Sequence, residues 1–197
     1  MEQQFQYYAF ISYKREDEKW AKWLQDRLRW YKLPSKLCRQ ITRLPKKVWP
    51  VFRDNTDLDS GRLEENIRHE LERSHYLIVI CSPEAARSPW VGKEVKYFAT
   101  LHGADKIIPF VVSGIPYSND IETECIHEQI KAISQEELLA INVREEGIGS
   151  FAMKKKRAFI RVVARLLDIK FNTLWQPYER ILRIRKWSTG IGVVLFL

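Results

Sequence analysis

YYAFISY, residues 7–13, is aromatic and β-branched with no polar break until Ser12. That is the composition of a strand buried on both faces, the place of a central strand in a parallel sheet. Downstream, Trp20, Trp23, Leu24, Leu28 and Tyr31 recur at helical spacing while Glu16, Asp17, Lys22 and Asp26 take the other faces, so an amphipathic helix follows the strand. Residues 32–47, rich in Lys, Arg and Pro, read as a loop, and Val48–Phe52 as a short second strand. The run RDNTDLDSG (53–61) that follows is strong loop chemistry.

The alternation continues. Leu63, Ile67 and Leu71 form one face of a second helix, and YLIVIC (76–81) is a third buried strand. Ser88 followed by Pro89 is a cap and a preset first residue, and Gly103 is a stop, which bounds a third helix at 89–102. Ile107–Val112 reads as a fourth strand, Glu136–Asn142 as a short fifth, and Lys154–Phe171 as a long final helix with Phe159, Val162, Val163 and Leu166 inward. Strands alternating with helices imply an α/β fold, a parallel five-stranded sheet with helices on both faces. Ligands of such sheets bind at the carboxyl ends of the strands near the reversal of strand order, so the loops after the first three strands are the place to seek a site.

The chain has 197 residues, 45% of them apolar, enough for one ordinary domain and a short appendage. Its 33 basic and 25 acidic side chains give +8, which favours anionic partners. The basic stretches, 27–47 and 154–186, lack the aromatic interleaving of a nucleic-acid platform, and no nucleic-acid partner is expected. Cys38, Cys81 and Cys125 are far apart and form no C-x-x-C pair, which fits a reducing compartment. The start MEQQFQYYAF has no secretory pattern, so a cytoplasmic location is expected. At the other end Arg180, Arg183, Arg185 and Lys186 precede a nearly uncharged run, Ser188–Leu197. The expected organisation is a domain over 1–172, a basic juxtamembrane segment over 173–187 and the start of a transmembrane helix over 188–197. That helix would tether the domain to the inner (plasma) membrane; a short buried strand or tail helix is the bland alternative.

Chemistry concentrates in the third helix. Trp90, Glu94 and Tyr97 share a face beside the inward Val91, Val95 and Phe98. One carboxylate suffices to cleave the N-glycosidic bond of a nicotinamide, because the leaving group departs as a neutral pyridine and needs no general acid. The carboxylate stabilises the oxocarbenium-like transition state, and a Trp one turn earlier offers a flat face for a ring. By spacing alone, a Trp and a Glu four apart are more often a packed aromatic and a solvated charge. His69, His75, His102 and His127 have no metal-ligand spacing and read as surface or satisfied core residues, so no metal is expected. Neither a P-loop, nor G-x-G-x-x-G, nor a G-x-S-x-G elbow is present.

Four segments add a resemblance: FISYKR (Phe10–Arg15), VFRDNTDLDSG (Val51–Gly61), LIVICSP (Leu77–Pro83) and PWVGKE (Pro89–Glu94). In order and spacing they resemble the signature segments of TIR domains, which have a flavodoxin-like fold. The W-x-x-x-E pair, with Lys93 before the glutamate, is similar to the NAD+-cleaving branch of that family. The resemblance implies that Glu94 is the catalytic carboxylate and Trp90 the aromatic wall beside it. It implies that the first loop, with Ser12, Tyr13, Lys14 and Arg15, faces the substrate, the last two matching a basic pair near the nucleotide; a solvated loop is the bland alternative for that pair. It places Arg53 and Asp54 at the opening of the BB loop, which borders the site and mediates self-association, and Leu63 at a position that is aromatic in a relative. The aliphatic Leu63 loses that stacking. Two further departures are Tyr8, where many members have Asp, and Ser60-Gly61 in place of a Pro-Gly in the BB loop.

The function so implied is an NAD+ glycohydrolase or cyclase in signalling or anti-phage defence, activated by homotypic TIR–TIR self-association, with NAD+ as substrate and no cofactor. The alternative is a non-catalytic scaffold that recruits other TIR domains. A phosphoacceptor receiver shares the fold but predicts paired acidic residues where Lys14 and Arg15 stand.

Overall fold

The strands come together as one sheet in the computed structural model, which describes residues 5–41, 44–53, 61–133, 139–145, 147 and 149–176, with backbone alone at 61–64. They are β1 (Tyr7–Ser12), β2 (Val51–Arg53), β3 (Ser74–Cys81), β4 (Ile107–Val111) and β5 (Ile141–Asn142), in the order β2-β1-β3-β4-β5 with every ladder parallel. This is the flavodoxin-like order, and its reversal falls between β1 and β3.

The helices are α1 (Glu18–Trp30), α2 (Ser35–Gln40), α3 (Gly61–Glu72), α4 (Pro83–Ala86), α5 (Pro89–His102), α6 (Glu128–Ile133) and α7 (Phe151–Leu166). The two-residue period of the strands sorts their side chains into two cores. Ala9, Ile11, Ile78, Ile80, Ile108 and Phe110 face one way and pack with Leu24 and Leu28 of α1 and Val162 and Val163 of α7. Phe10, Leu77, Val79, Ile107 and Val111 face the other way against Ile67 and Leu71 of α3 and Val91, Val95 and Phe98 of α5. Burying both faces explains why β1, β3 and β4 are near-continuous apolar runs.

Several elements differ from expectation for local reasons. β2 is confined to Val51–Arg53 because Pro50 has no N–H for the ladder, although its carbonyl still accepts from Tyr8 N–H at 2.8 Å. The stretch 32–47, expected as loop, contains α2, which buries Leu37. α7 starts at Phe151 rather than Lys154, since Ser150 Oγ accepts from Met153 N–H at 3.4 Å and caps it, and it stops at Leu166. The short α4 and α6 were not anticipated. Of the expected fifth strand only Ile141–Asn142 is strand, and 134–138 lie outside the described residues. Asp17, expected on a solvated face of the first helix, is buried in a 3-10 turn ahead of α1.

Residues 171–176 are helical, and Leu174 and Trp175 pack into the α1/α7 core, beyond the expected domain end at 172. The expected membrane tether is corrected. Among the described residues no helix is long and apolar enough to cross a membrane, and the 16-residue α7 carries a polar, basic face. Residues 177–197, which include the expected transmembrane start at 188–197 and most of the basic segment, lie outside the described residues.

Candidate active site

α5 presents its chemistry because of how it starts. Ser88 Oγ accepts from Val91 N–H at 3.4 Å, Pro89 sets the first turn, and Gly103 ends the helix at φ 88°, a left-handed conformation that costs glycine little. With Val91, Val95 and Phe98 turned into the core, Glu94 falls at the edge of the same stripe and is only 4% exposed. Its carboxylate accepts a hydrogen bond from the hydroxyl of Ser12, the last residue of β1. A buried carboxylate is tolerated only with such donors. Here the donor comes from the carboxyl end of a strand at the reversal of strand order, where open sheets bind ligands.

Glu94 lines a cleft of about 320 Å³ between α3 and α5. Ile67 and Leu71 form its apolar side, Trp90 and Tyr97 supply aromatic surface, and Arg68, Lys93 and Lys96 bring positive charge to it. The Lys93 ammonium lies 5.6 Å from the Trp90 ring centre and the Arg68 guanidinium 5.4 Å from that of Tyr97. The Tyr97 hydroxyl donates to Glu72 at 2.5 Å, tying α5 to α3. A buried carboxyl group, flat rings and a cationic border suit a substrate that has a cationic heterocycle at one end and phosphates at the other. A larger cleft of about 660 Å³ lies across α5, toward α6. Its buried carboxylate, Glu124, is engaged by Lys131 and by the N–H groups of Tyr117 and Ile126.

Ser12, Trp90 and Glu94 are thus brought together, and the first loop continues from Ser12. Tyr13 is half-buried, and its hydroxyl accepts from Arg53 at 2.9 Å. Arg53 also donates to Gln25 at 3.1 Å and pairs with Glu18 at 3.3 Å, so its guanidinium is turned toward α1. Lys14 is half-buried and Arg15 exposed, next to Ser12 in chain order; the Lys14 carbonyl accepts from Asp17 N–H at 2.7 Å. Asp54 lies outside the described residues, as does the Leu63 side chain, although its backbone belongs to the first turns of α3.

Three groups were not singled out from the sequence. Arg68 and Lys96 border the cleft only because α3 packs on α5, and nothing in either helix alone signals that. Asp17, 8% exposed, accepts from Ser82 Oγ at 2.5 Å, which joins the turn after β1 to the residue after β3. Burial raises the Asp17 carboxyl above its ordinary value against the lowering effect of the Ser82 hydrogen bond, with Glu84 and Glu16 adding to the rise. Ser82 Oγ in turn accepts from Ala85 N–H at 3.1 Å and caps α4. Cys81 is buried, and its thiol is pushed well up, which makes it inert rather than nucleophilic. Among the described residues no group of His, Cys, Asp and Glu is placed to hold a metal.

Three comparisons bear on this geometry. The family model described as TIR domain matches residues 9–146. A curated relative, the NAD(+) hydrolase ApTIR of an Actinoplanes species, is 36% identical over 110 residues, which take in 55% of this chain and 14% of that protein's length. The chain thus corresponds to a small part of that relative. Among solved structures, the TIR domains of the activated Roq1 resistosome that directly recognises the pathogen effector XopQ match with a TM-score of 0.52 and 14% identity. That match covers 78% of this chain and 98% of the other, a likeness of fold.

Proposed function

The chain belongs to the TIR domain family, and from that premise we propose that it cleaves the nicotinamide bond of NAD+ with Glu94 as its catalytic carboxylate. The observation that carries this reading is the buried Glu94, held by Ser12 and open to a cleft walled by Trp90. A relative named as an NAD(+) hydrolase supports it.

In the proposed reaction the bond between the ribose C1′ and the nicotinamide nitrogen breaks, and its electron pair neutralises the pyridinium. Positive charge then develops on the ribose ring, where the Glu94 carboxylate stabilises it. Water attacks C1′ and loses a proton to give ADP-ribose; attack by a nitrogen of the substrate's own adenine gives a cyclic isomer. Trp90 flanks the nicotinamide, and Ser12, Tyr13, Lys14, Arg15, Arg53, Asp54 and Leu63 belong to the substrate side, with cations near the diphosphate. Self-association of TIR domains is the proposed activating condition, and NAD+ cleavage on assembly suits signalling or anti-phage defence.

The test is nicotinamide release from NAD+ by the full chain at high concentration or on a crosslinking bead, with Glu94→Gln alongside. Gln keeps an acceptor for Ser12 but removes the charge, so release should fall at least 100-fold with the thermal transition retained. No release from folded, self-associated protein would leave a scaffold role as the better reading.

A further inference from the structure

His127 is a satisfied core residue, but its two ring nitrogens serve two different helices. Nδ1 accepts from Gln129 N–H at 3.0 Å, which makes the imidazole the side-chain cap of α6. Because Nδ1 is used as an acceptor, the proton of the neutral ring sits on Nε2, and Nε2–H donates to the Ser88 carbonyl at 3.1 Å. Ser88 is the cap of α5, and the same carbonyl accepts from Gly92 N–H at 3.1 Å. One imidazole therefore joins the first turns of α5 and α6.

The packing is as specific as the hydrogen bonding. A Cβ on Gly92 would lie 2.4 Å from Cε1 and 2.7 Å from Nε2 of His127, so the ring rests directly on the backbone of α5 between Trp90 and Glu94. α6 is itself anchored: Lys131 pairs with the buried Glu124, whose other oxygen accepts from Tyr117 N–H at 3.2 Å and Ile126 N–H at 2.7 Å. The excursion between β4 and β5 thereby becomes a brace for the helix that carries the candidate carboxylate.

We propose that His127 is a positioning residue, which fixes the first turn of α5 against α6 and so sets where Trp90 and Glu94 stand toward the substrate. The link to catalysis rests on the NAD+-cleaving reading; the brace itself does not. Misplacement of about 1 Å by a change away from the chemistry can cost on the order of 100-fold in rate.

The test uses the full chain and the variants His127→Asn, His127→Gln and Gly92→Ala. Asn still caps α6 but is too short to reach Ser88, whereas Gln is long enough to reach its carbonyl. Two readouts are taken, amide hydrogen exchange over residues 91–94 and the kcat and KM of nicotinamide release. His127→Asn should speed that exchange at least tenfold and lower kcat at least tenfold with KM nearly unchanged, and His127→Gln should recover part of both. Gly92→Ala, which pushes the ring aside from the α5 side, should reproduce the Asn phenotype. Combined with His127→Asn it should cost less than the sum of the two, since the smaller Asn makes room for the methyl. Should His127→Asn fail to fold, the Gln and Ala variants decide. Unchanged exchange in folded variants overturns the brace, and faster exchange with unchanged kcat overturns its role in positioning. Wild-type protein that releases no nicotinamide defeats the NAD+ reading, and with it the catalytic role given to His127, while the exchange data still decide the brace.

Discussion

Ser12 and Glu94 stand 82 residues apart in the chain and share a buried hydrogen bond that joins the end of β1 to the middle of α5. Removing the donor leaves a carboxylate that has been taken out of water with one partner fewer, which costs about 1–3 kcal/mol. Ser12→Ala should therefore lower thermal stability measurably and reduce kcat for nicotinamide release about tenfold or more. Melting curves and steady-state rates on the same preparation check both. A variant as stable and as active as wild type would mean that the hydroxyl does not orient Glu94.

Asp17 predicts an opposite sign for two neighbouring changes. Burial raises its carboxyl in the folded protein, opposed by Ser82 and aided by Glu84 and Glu16. A folded value above the unfolded one contributes stability that is fully present below the unfolded pKa and is lost as pH rises through the folded one. At neutral pH the ionised group is therefore a burden. Asp17→Asn should leave stability at pH 7 equal or higher and remove any advantage near pH 4. Ser82→Ala, which loses the α4 cap and the Asp17 partner together, should cost about 2 kcal/mol. Chemical denaturation at the two pH values separates these outcomes.

Three histidines set an acid limit on the fold. Burial holds His127 below its ordinary value against the opposing Ser88 carbonyl and Glu128, and burial does the same for His102 and His75, the latter helped by Lys106. Folded values below the unfolded 6.5 give stability that is present above that pH and is lost as pH falls through the folded values. The melting temperature should hold from pH 8 to about 7 and drop below about 6.5, and His127→Gln should flatten part of the drop. A flat profile down to pH 5 would contradict it.

Arg53 spans Tyr13, Gln25 and Glu18 with one planar fork, which a lysine cannot match. Arg53→Lys should lose about 1.5–3 kcal/mol of stability, as for hydrogen bonds to charged groups. If the guanidinium acts mainly on α1, KM for NAD+ should change less than about threefold; a large rise in KM with stability intact would show direct contact with the substrate.

Much of the fold is legible without coordinates, because it depends on local periodicity. The near-continuous apolar runs at 7–11, 76–81 and 107–112 have the pattern of central strands, which a sheet covered on both faces can bury, and Ser88-Pro89 with Gly103 bounds α5 within the chain's own backbone. Trp90 and Glu94 share a helical face by spacing, and the resemblance of the W-x-x-x-E segment is what marks the carboxylate as a candidate. The short pieces were not: α2, α4 and α6 hold too few residues for a period to show. Nor could any stretch of sequence reveal which partner meets which. The placing of Ser12 on Glu94, Ser82 on Asp17, Arg53 on Tyr13 and His127 between Ser88 and Gln129 arises where separate elements pack. Each joins residues whose local patterns are indifferent to one another. Sequence by itself therefore determined the strands, the main helices and the face that bears the carboxylate. Only tertiary packing decided that Glu94 and Asp17 are buried, and which hydroxyl or imidazole holds the backbone around them, because burial and hydrogen-bond partners are properties of the assembled sheet rather than of any segment within it.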